Sequence, residues 1–319
     1  LTGYEWPKYN YATCPECFTL NKASYVTPIT ECRQCEKPLN GRTRQYIIPK
    51  FGFLLDIEGP KSVGNNKPER TYKGSISYIG NEQKIEFNEY TICSHGVLLG
   101  NSKMDSLAVL NESSFFVCEL CGYGHIDDKT SDYVISLPNH KNPNGYKCGN
   151  ERLKKYSLGH EFQTDVVFIK FTDIDISRAD EAWTILYSML EGLSRVMNVE
   201  RNELSGCLQW YKNIEQGKGN YGLVLFDNTP GGAGYVRRLT NPQILESMLR
   251  EGYRVVSNCD CGGELGDTAC YSCLCNYYNQ RQHDLLKRQY AIAFYQHFSL
   301  EYDNEWDCYR NDENNTVIV

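Results

Sequence analysis

The chain is 319 residues long, a length that as a prior fits about two domains of ordinary size. Apolar residues make up 41% and charged residues 23%, and Tyr (24) and Phe (12) are plentiful, a composition that excludes a disordered chain. The formal net charge of −7, from 33 basic and 40 acidic side chains, argues against an autonomous nucleic-acid binder but leaves room for a local basic groove.

No run approaches the roughly 18 apolar residues that a membrane span needs. The longest, around residues 97–99 and 223–226, are strand-sized, so no membrane association is expected. The chain opens Leu1-Thr2-Gly3 with neither a secretion leader nor an initiator Met, which reads as a fragment of something longer. Fifteen cysteines, an odd count mostly paired as CxxC or CxC, fit thiolate metal ligation better than a disulfide framework. A cytoplasmic setting and three zinc ions are expected.

Residues 1–44 form a small polar unit with two knuckles, Cys14-Pro15-Glu16-Cys17 and Cys32-Arg33-Gln34-Cys35, separated by fourteen residues. Each CxxC turn aims two thiolates at one centre, and two knuckles complete a tetrahedral zinc-ribbon site. From 45 to about 92, short runs alternate with period two between turn residues, at 45–48, 74–79 and 84–90, with a loop at 59–70. Such alternation predicts antiparallel strands with one wet face.

A second cluster follows at Cys118-Glu119-Leu120-Cys121 and Cys148, rich in Gly, Pro and Asn. His95, His125, His140 and Cys93 compete for the fourth ligand position. His140 is favoured because residues 140–148 make a plausible loop knuckle, whereas His125 sits too close to Cys121 for an easy turn back.

After residue 149 the style changes. Residues 164–171 read as a buried strand. Ser177 is a candidate N-cap with Asp180 and Glu181 in the first turn, and apolar residues then recur at helical spacing to Met197. A hairpin is expected over 204–211 and 221–226, then a glycine loop, a helix broken near Asn241-Pro242, and a final helix over 283–298. The third cluster, Cys259-Asp260-Cys261 and Cys270-Tyr271-Ser272-Cys273, makes a four-thiolate site, leaving Cys275 as a small buried hydrophobe.

The run Asp227-Asn228-Thr229-Pro230-Gly231-Gly232-Ala233-Gly234 can present backbone amides to a phosphate, with Arg237 and Arg238 placed to pair with an anion. The competing reading is a tight turn that lets helix and strand pack closely. No GxxxxGK[ST], DExH-like box, HExxH or GxSxG is present, so nothing in the chain reads as an ATPase. Glu161, Asp165 and Lys170, or the Asp227 loop, are the residues a metal-dependent nuclease or hydrolase would use. Capping and hydrogen bonding explain them equally simply.

Gly159-His160-Glu161-Phe162-Gln163-Thr164-Asp165, the glycine loop from Leu225 to Val236, and the CxC…CxxC cluster together resemble the C-terminal zinc-binding domain of MrfA-type superfamily 2 helicases. That domain also occurs in DrmB of the DISARM anti-phage system and the large helicase of Druantia. The run Tyr277-Tyr278-Asn279-Gln280-Arg281-Gln282-His283 resembles the defence-associated branches. The resemblance covers roughly the last half of the chain. It implies a bacterial module that works on DNA beside a helicase core held in the same chain or a separate subunit.

The expected fold class is α+β or mixed α/β: a zinc ribbon (1–44), a β-rich region with a second knuckle (45–158) and an α/β domain with a four-cysteine site (159–319). The expected function is a non-catalytic, zinc-binding, DNA-binding and assembly module. A nuclease or hydrolase, or a zinc-stabilised protein scaffold, is the alternative.

Overall fold

The computed structural model describes residues 6–49, 74–81, 85–127, 130–142, 144–212 and 218–298, without the side chains of 112–114. The expected loop at 59–70 and the tip of the 204–226 hairpin lie outside the described residues. The strands are β1 (Lys8–Thr13), β2 (Leu20–Ser24), β3 (Arg44–Ile47), β4 (Gly74–Tyr78), β5 (Phe87–Ile92), β6 (His95–Val117), β7 (Gly124–Ile126), β8 (Val134–Ser136), β9 (Arg152–Phe171), β10 (Leu204–Lys212) and β11 (Gly219–Asp227). The helices are α1 (Ala179–Met197), α2 (Pro242–Ser257) and α3 (Arg288–His297). The fold is mixed α/β, as the sequence predicts.

Two long strands carry the sheet. β6, of 23 residues, and β9, of 20, pair antiparallel from Val97↔Phe171 to Val117↔Lys154. Register shifts at 102/105 and 111/115 mark irregularities that let so long a ribbon bend. β5, β4 and β7 share the outer edge of β6, while β11, β3 and β8 share that of β9. All these pairings are antiparallel except β3 with β9. The boundaries expected at 44/45 and 158/159 fall inside β3 and β9, so the three sequence regions are joined by shared strands.

The apolar run at 166–171 is continuous because both faces of β9 are covered there. Val167, Ile169 and Phe171 face the helices, in one core with Leu186, Met189, Leu190 and Leu193 of α1. Val166 and Phe168 face the other way, into a smaller core with Tyr78, Leu107 and Phe226. The strand begins twelve residues before the expected Thr164, because the segment from Arg152 has no long apolar run to announce it.

Two helix ends depart from expectation. The N-cap of α1 is Arg178, not Ser177, and its side chain makes no capping bond. The helix expected over 283–298 is two pieces, a 3-10 helix at Tyr277–Leu285 and then α3. Between them Lys287 N donates to Thr184 Oγ1 at 3.2 Å and Arg288 N to Thr268 O at 3.1 Å. These tertiary bonds take the amides that would continue the helix.

Candidate metal centres

Three clusters gather four soft ligands each, with donor atoms within 4.8 Å of one another: Cys14, Cys17, Cys32 and Cys35; Cys118, Cys121, His140 and Cys148; Cys259, Cys261, Cys270 and Cys273. Among the described residues every expected metal ligand falls into its expected group.

The first cluster hangs from the β1–β2 hairpin. Cys14 N donates to Thr19 O, and Phe18 N and Glu36 N donate back to Cys14 O and Cys32 O, closing two tight knuckles. Phe18 and Glu36 follow the second cysteine of each knuckle with φ of 56° and 60°, the left-handed turn that such a closure needs. Ala12, Ile29 and Leu39 pack around the thiols as a separate small core.

The second cluster lies where β6 ends and β9 begins. His140 Nδ1 is 3.0 Å from Leu137 O. A carbonyl only accepts, so Nδ1 carries the proton and Nε2 presents a lone pair. That Nε2 is buried and has no hydrogen-bond partner, while the three thiols surround it. An orphaned nitrogen among sulfurs costs stability unless a cation receives it, so this donor set fits a metal. The rivals stand elsewhere: His125 on β7 opposite Phe116, Cys93 in the β5–β6 turn against the main core, and His95 beside Asp173 and His297.

The third cluster is set into the main core beside α2. Cys275 stays outside the ligand group as a buried thiol, pushed up to about 11 by its burial and by the thiols of Cys270 and Cys261. The Arg288 guanidinium, 8% exposed, donates to the carbonyls of Cys261, Val256 and Gly263, tying α3 to this cluster.

Each centre has one acidified thiol, the leading cysteine of a CxxC knuckle. Burial pushes Cys32, Cys118 and Cys270 up, but backbone amides of the knuckle and hydrogen bonds from neighbouring side chains together bring each down to about 7. The amides are those of Gln34 and Cys35, of Leu120 and Cys121, and of Ser272. A backbone that favours thiolate before any cation arrives is suited to zinc, whose ligand is the thiolate. Four protein ligands would leave an ion in each group no open coordination position, the arrangement of a structural rather than a catalytic centre.

The glycine loop is organised around Asp227. Its buried carboxylate accepts from Ala233 N at 2.8 Å, Tyr235 N at 3.1 Å and Val236 N at 3.0 Å. Gly231 N and Gly232 N donate to Gln163 O and Thr229 O. The amides of residues 231, 232, 233, 235 and 236 are thus committed inside the protein, and Gly231 and Gly232 serve the turn: their φ of 90° and 78° require glycine. A Cβ on Gly232 would also meet Asp165 Cγ at 2.7 Å. Arg237 is half-exposed, 3.8 Å from Asp165, and Arg238 is exposed.

The residues weighed for hydrolysis do not converge. Glu161 takes Lys22 at 2.8 Å and the Tyr46 hydroxyl, Asp165 lies by Arg237, and the Lys170 ammonium sits over the Phe87 and Tyr211 rings.

What the fold and sites define is a zinc-binding α/β module with closed, sulfur-rich centres. Residues 185–274 match the family model for the MrfA Zn-binding domain, a span that holds most of α1 and the whole third cluster. The resemblance carried by the glycine loop and the CxC…CxxC cluster is met by that match. The chain is also similar to the Druantia protein DruE of Escherichia coli (strain UMEA 4076-1), at 22% identity over 306 residues. The alignment covers 82% of this chain and 16% of that protein. Two crystal structures of the DUF1998 helicase MrfA, one bound to DNA and one to DNA and AMPPNP, align with TM-scores of 0.38 and 0.27 at 12% and 11% identity. They cover 71% and 67% of this chain and 24% and 22% of theirs. The matched domain and the donor sets support zinc as the cofactor, and three groups agree with the expected count. No helix among the described residues is long and apolar enough to cross a membrane.

Proposed function

We propose that this chain is a non-catalytic zinc-binding module of a bacterial anti-phage helicase system, working in the cytoplasm beside a superfamily 2 helicase core. The observation that carries this reading is the similarity to DruE along 82% of the chain, together with the MrfA Zn-binding domain match at 185–274. The module's part is to hold DNA and to assemble with the core. Its zinc ligands are Cys14, Cys17, Cys32 and Cys35; Cys118, Cys121, His140 and Cys148; and Cys259, Cys261, Cys270 and Cys273. The closed clusters, and acidic residues tied up in ion pairs, support a binding role over hydrolysis.

Arg237 and Arg238 are the DNA contacts we assign, acting through charge alone because the loop amides are taken. Phosphate contacts of this kind position the duplex or strand without reading its sequence. The test is DNA binding by the full-length protein with and without this segment, across salt concentrations. Weaker binding and a shallower dependence of log affinity on log salt are expected when the segment is removed. Equal affinity and slope would overturn the DNA-binding part of the reading.

A further inference from the structure

Among the described residues, one convergence of ligating side chains lies outside the three sulfur-rich clusters. His95, Asp173 and His297 bring donor atoms within 4.8 Å of one another, with His95 Nδ1 in direct contact with Asp173 Oδ2. The rings of His95 and His297 are 4.6 Å apart between centroids.

The three residues come from three elements tied together by pairing and packing. His95 opens β6 straight after a hairpin turn in which Cys93 and Ser94 both take positive φ, and it pairs with Ile92. Asp173 follows β9, and the preceding residue is tied down twice, Thr172 N and Thr172 Oγ1 both donating to Gly96 O. His297 ends α3, which is fastened there by Phe294 and Phe298 packing on Phe171 at 5.0 and 5.8 Å. The Phe298 ring also lies 5.0 Å from His95. The backbone positions of the three ligands are therefore set by the sheet–helix core.

We propose that His95, Asp173 and His297 form a fourth metal site, for a divalent transition ion bound through nitrogen and oxygen. Two imidazoles and one carboxylate on one side of an ion suit Zn²⁺, Co²⁺ or Ni²⁺, and they leave coordination positions open. Bonds of about 2.1 Å place such donors about 3 to 4 Å apart, a spacing reached here by small side-chain adjustments. The last turn of α3 supplies a favourable environment, since the carbonyl end of a helix attracts a cation. The ligands are also wetter than the cysteine clusters: side-chain exposure is 19% for His95 and 41% for Asp173. This site therefore exchanges its ion readily, where the closed thiolate sites hold theirs. It does not depend on the DNA-binding reading and stands or falls separately.

The experiment uses the full chain already carrying its zinc. Equilibrium dialysis against Co²⁺ is expected to add one cobalt per chain without displacing zinc, because zinc outranks cobalt for the thiolate sites. The bound cobalt should show weak visible bands and no thiolate-to-cobalt charge-transfer band in the near ultraviolet. His297→Ala and Asp173→Asn change exposed positions at the ends of elements and should each weaken this cobalt by tenfold or more, with zinc content and near-ultraviolet circular dichroism unchanged. Absence of the extra cobalt, a thiolate charge-transfer band, or equal binding by His297→Ala would overturn the proposal.

Discussion

Gly192 of α1 and Gly252 of α2 lie against one another so closely that a Cβ on Gly192 would fall 2.7 Å from Gly252 N and 2.3 Å from Met248 O. A Cβ on Gly252 would meet Ser188 O at 2.9 Å and the Tyr295 hydroxyl at 2.2 Å. The absent side chains let two helix backbones touch, and Tyr295 from α3 seals the contact with a bond of 2.7 Å to Ser188 Oγ. Gly252→Ala should cost about 1–3 kcal/mol through overpacking of a seam whose backbones cannot give. A denaturant titration checks this, with zinc content expected unchanged.

Zinc content should be three per chain in freshly purified protein. Stripping the metal should unfold the local structure around each cluster, since ligand binding and folding are one process at such sites. Elemental analysis beside circular dichroism measures both; one zinc or fewer would contradict the three-centre arrangement.

The second centre discriminates among histidines. His140→Ala should lower the zinc count by one, because Nε2 is the sole nitrogen in that group, while His140→Cys should restore it with a fourth thiolate. His125→Ala should leave the count at three. Zinc per chain in the three variants decides the matter.

Asp227→Ala should destabilise the domain by about 2 kcal/mol or more. It removes a buried acceptor of three backbone amides and leaves those donors unsatisfied. A drop in unfolding midpoint, without loss of zinc from the third cluster, is the expected result.

Replacing both Arg237 and Arg238 with Ala should weaken DNA binding by the intact assembly about equally across sequences. The salt slope should become shallower by up to about one unit per lost phosphate contact. Fold stability should change little, since both side chains are partly or wholly exposed and Arg237's ion pair at 3.8 Å is loose. Unchanged affinity and slope would remove these arginines from the DNA surface.

The metal centres were legible because ligand chemistry constrains spacing locally: a CxxC knuckle is four residues of turn, read directly from the chain. The apolar period of α1 was equally direct, and the helix runs from Ala179 to Met197 as that period predicts. The length of β9 was hidden because its first half has no long apolar run and is ordered by edge pairing with β6, which is a long-range fact. Asp227 was visible only as a loop residue, since its role depends on three amides folding back over it. The break before α3 is set by Thr184 and Thr268, both far from it in sequence. His95, Asp173 and His297 carry no motif at all: 78 residues separate the first two, and only the ends of the long ribbon and α3 bring the three together.

The three sulfur-rich centres each sit in a different apolar cluster: one with Ala12 and Leu39, one with Phe116 and Leu153, and one with the helices. Trp210 packs on both the first cluster and the helical core, whereas the second cluster shares no residue with either, so the free energy of losing the second ion is the one closest to additive. Falling metal supply then acts in grades rather than all at once. The knuckle at the junction of β6 and β9 behaves as a fuse that can open while the helical body stands. The centre tied to α3 through Arg288 is the one whose failure loosens the body itself.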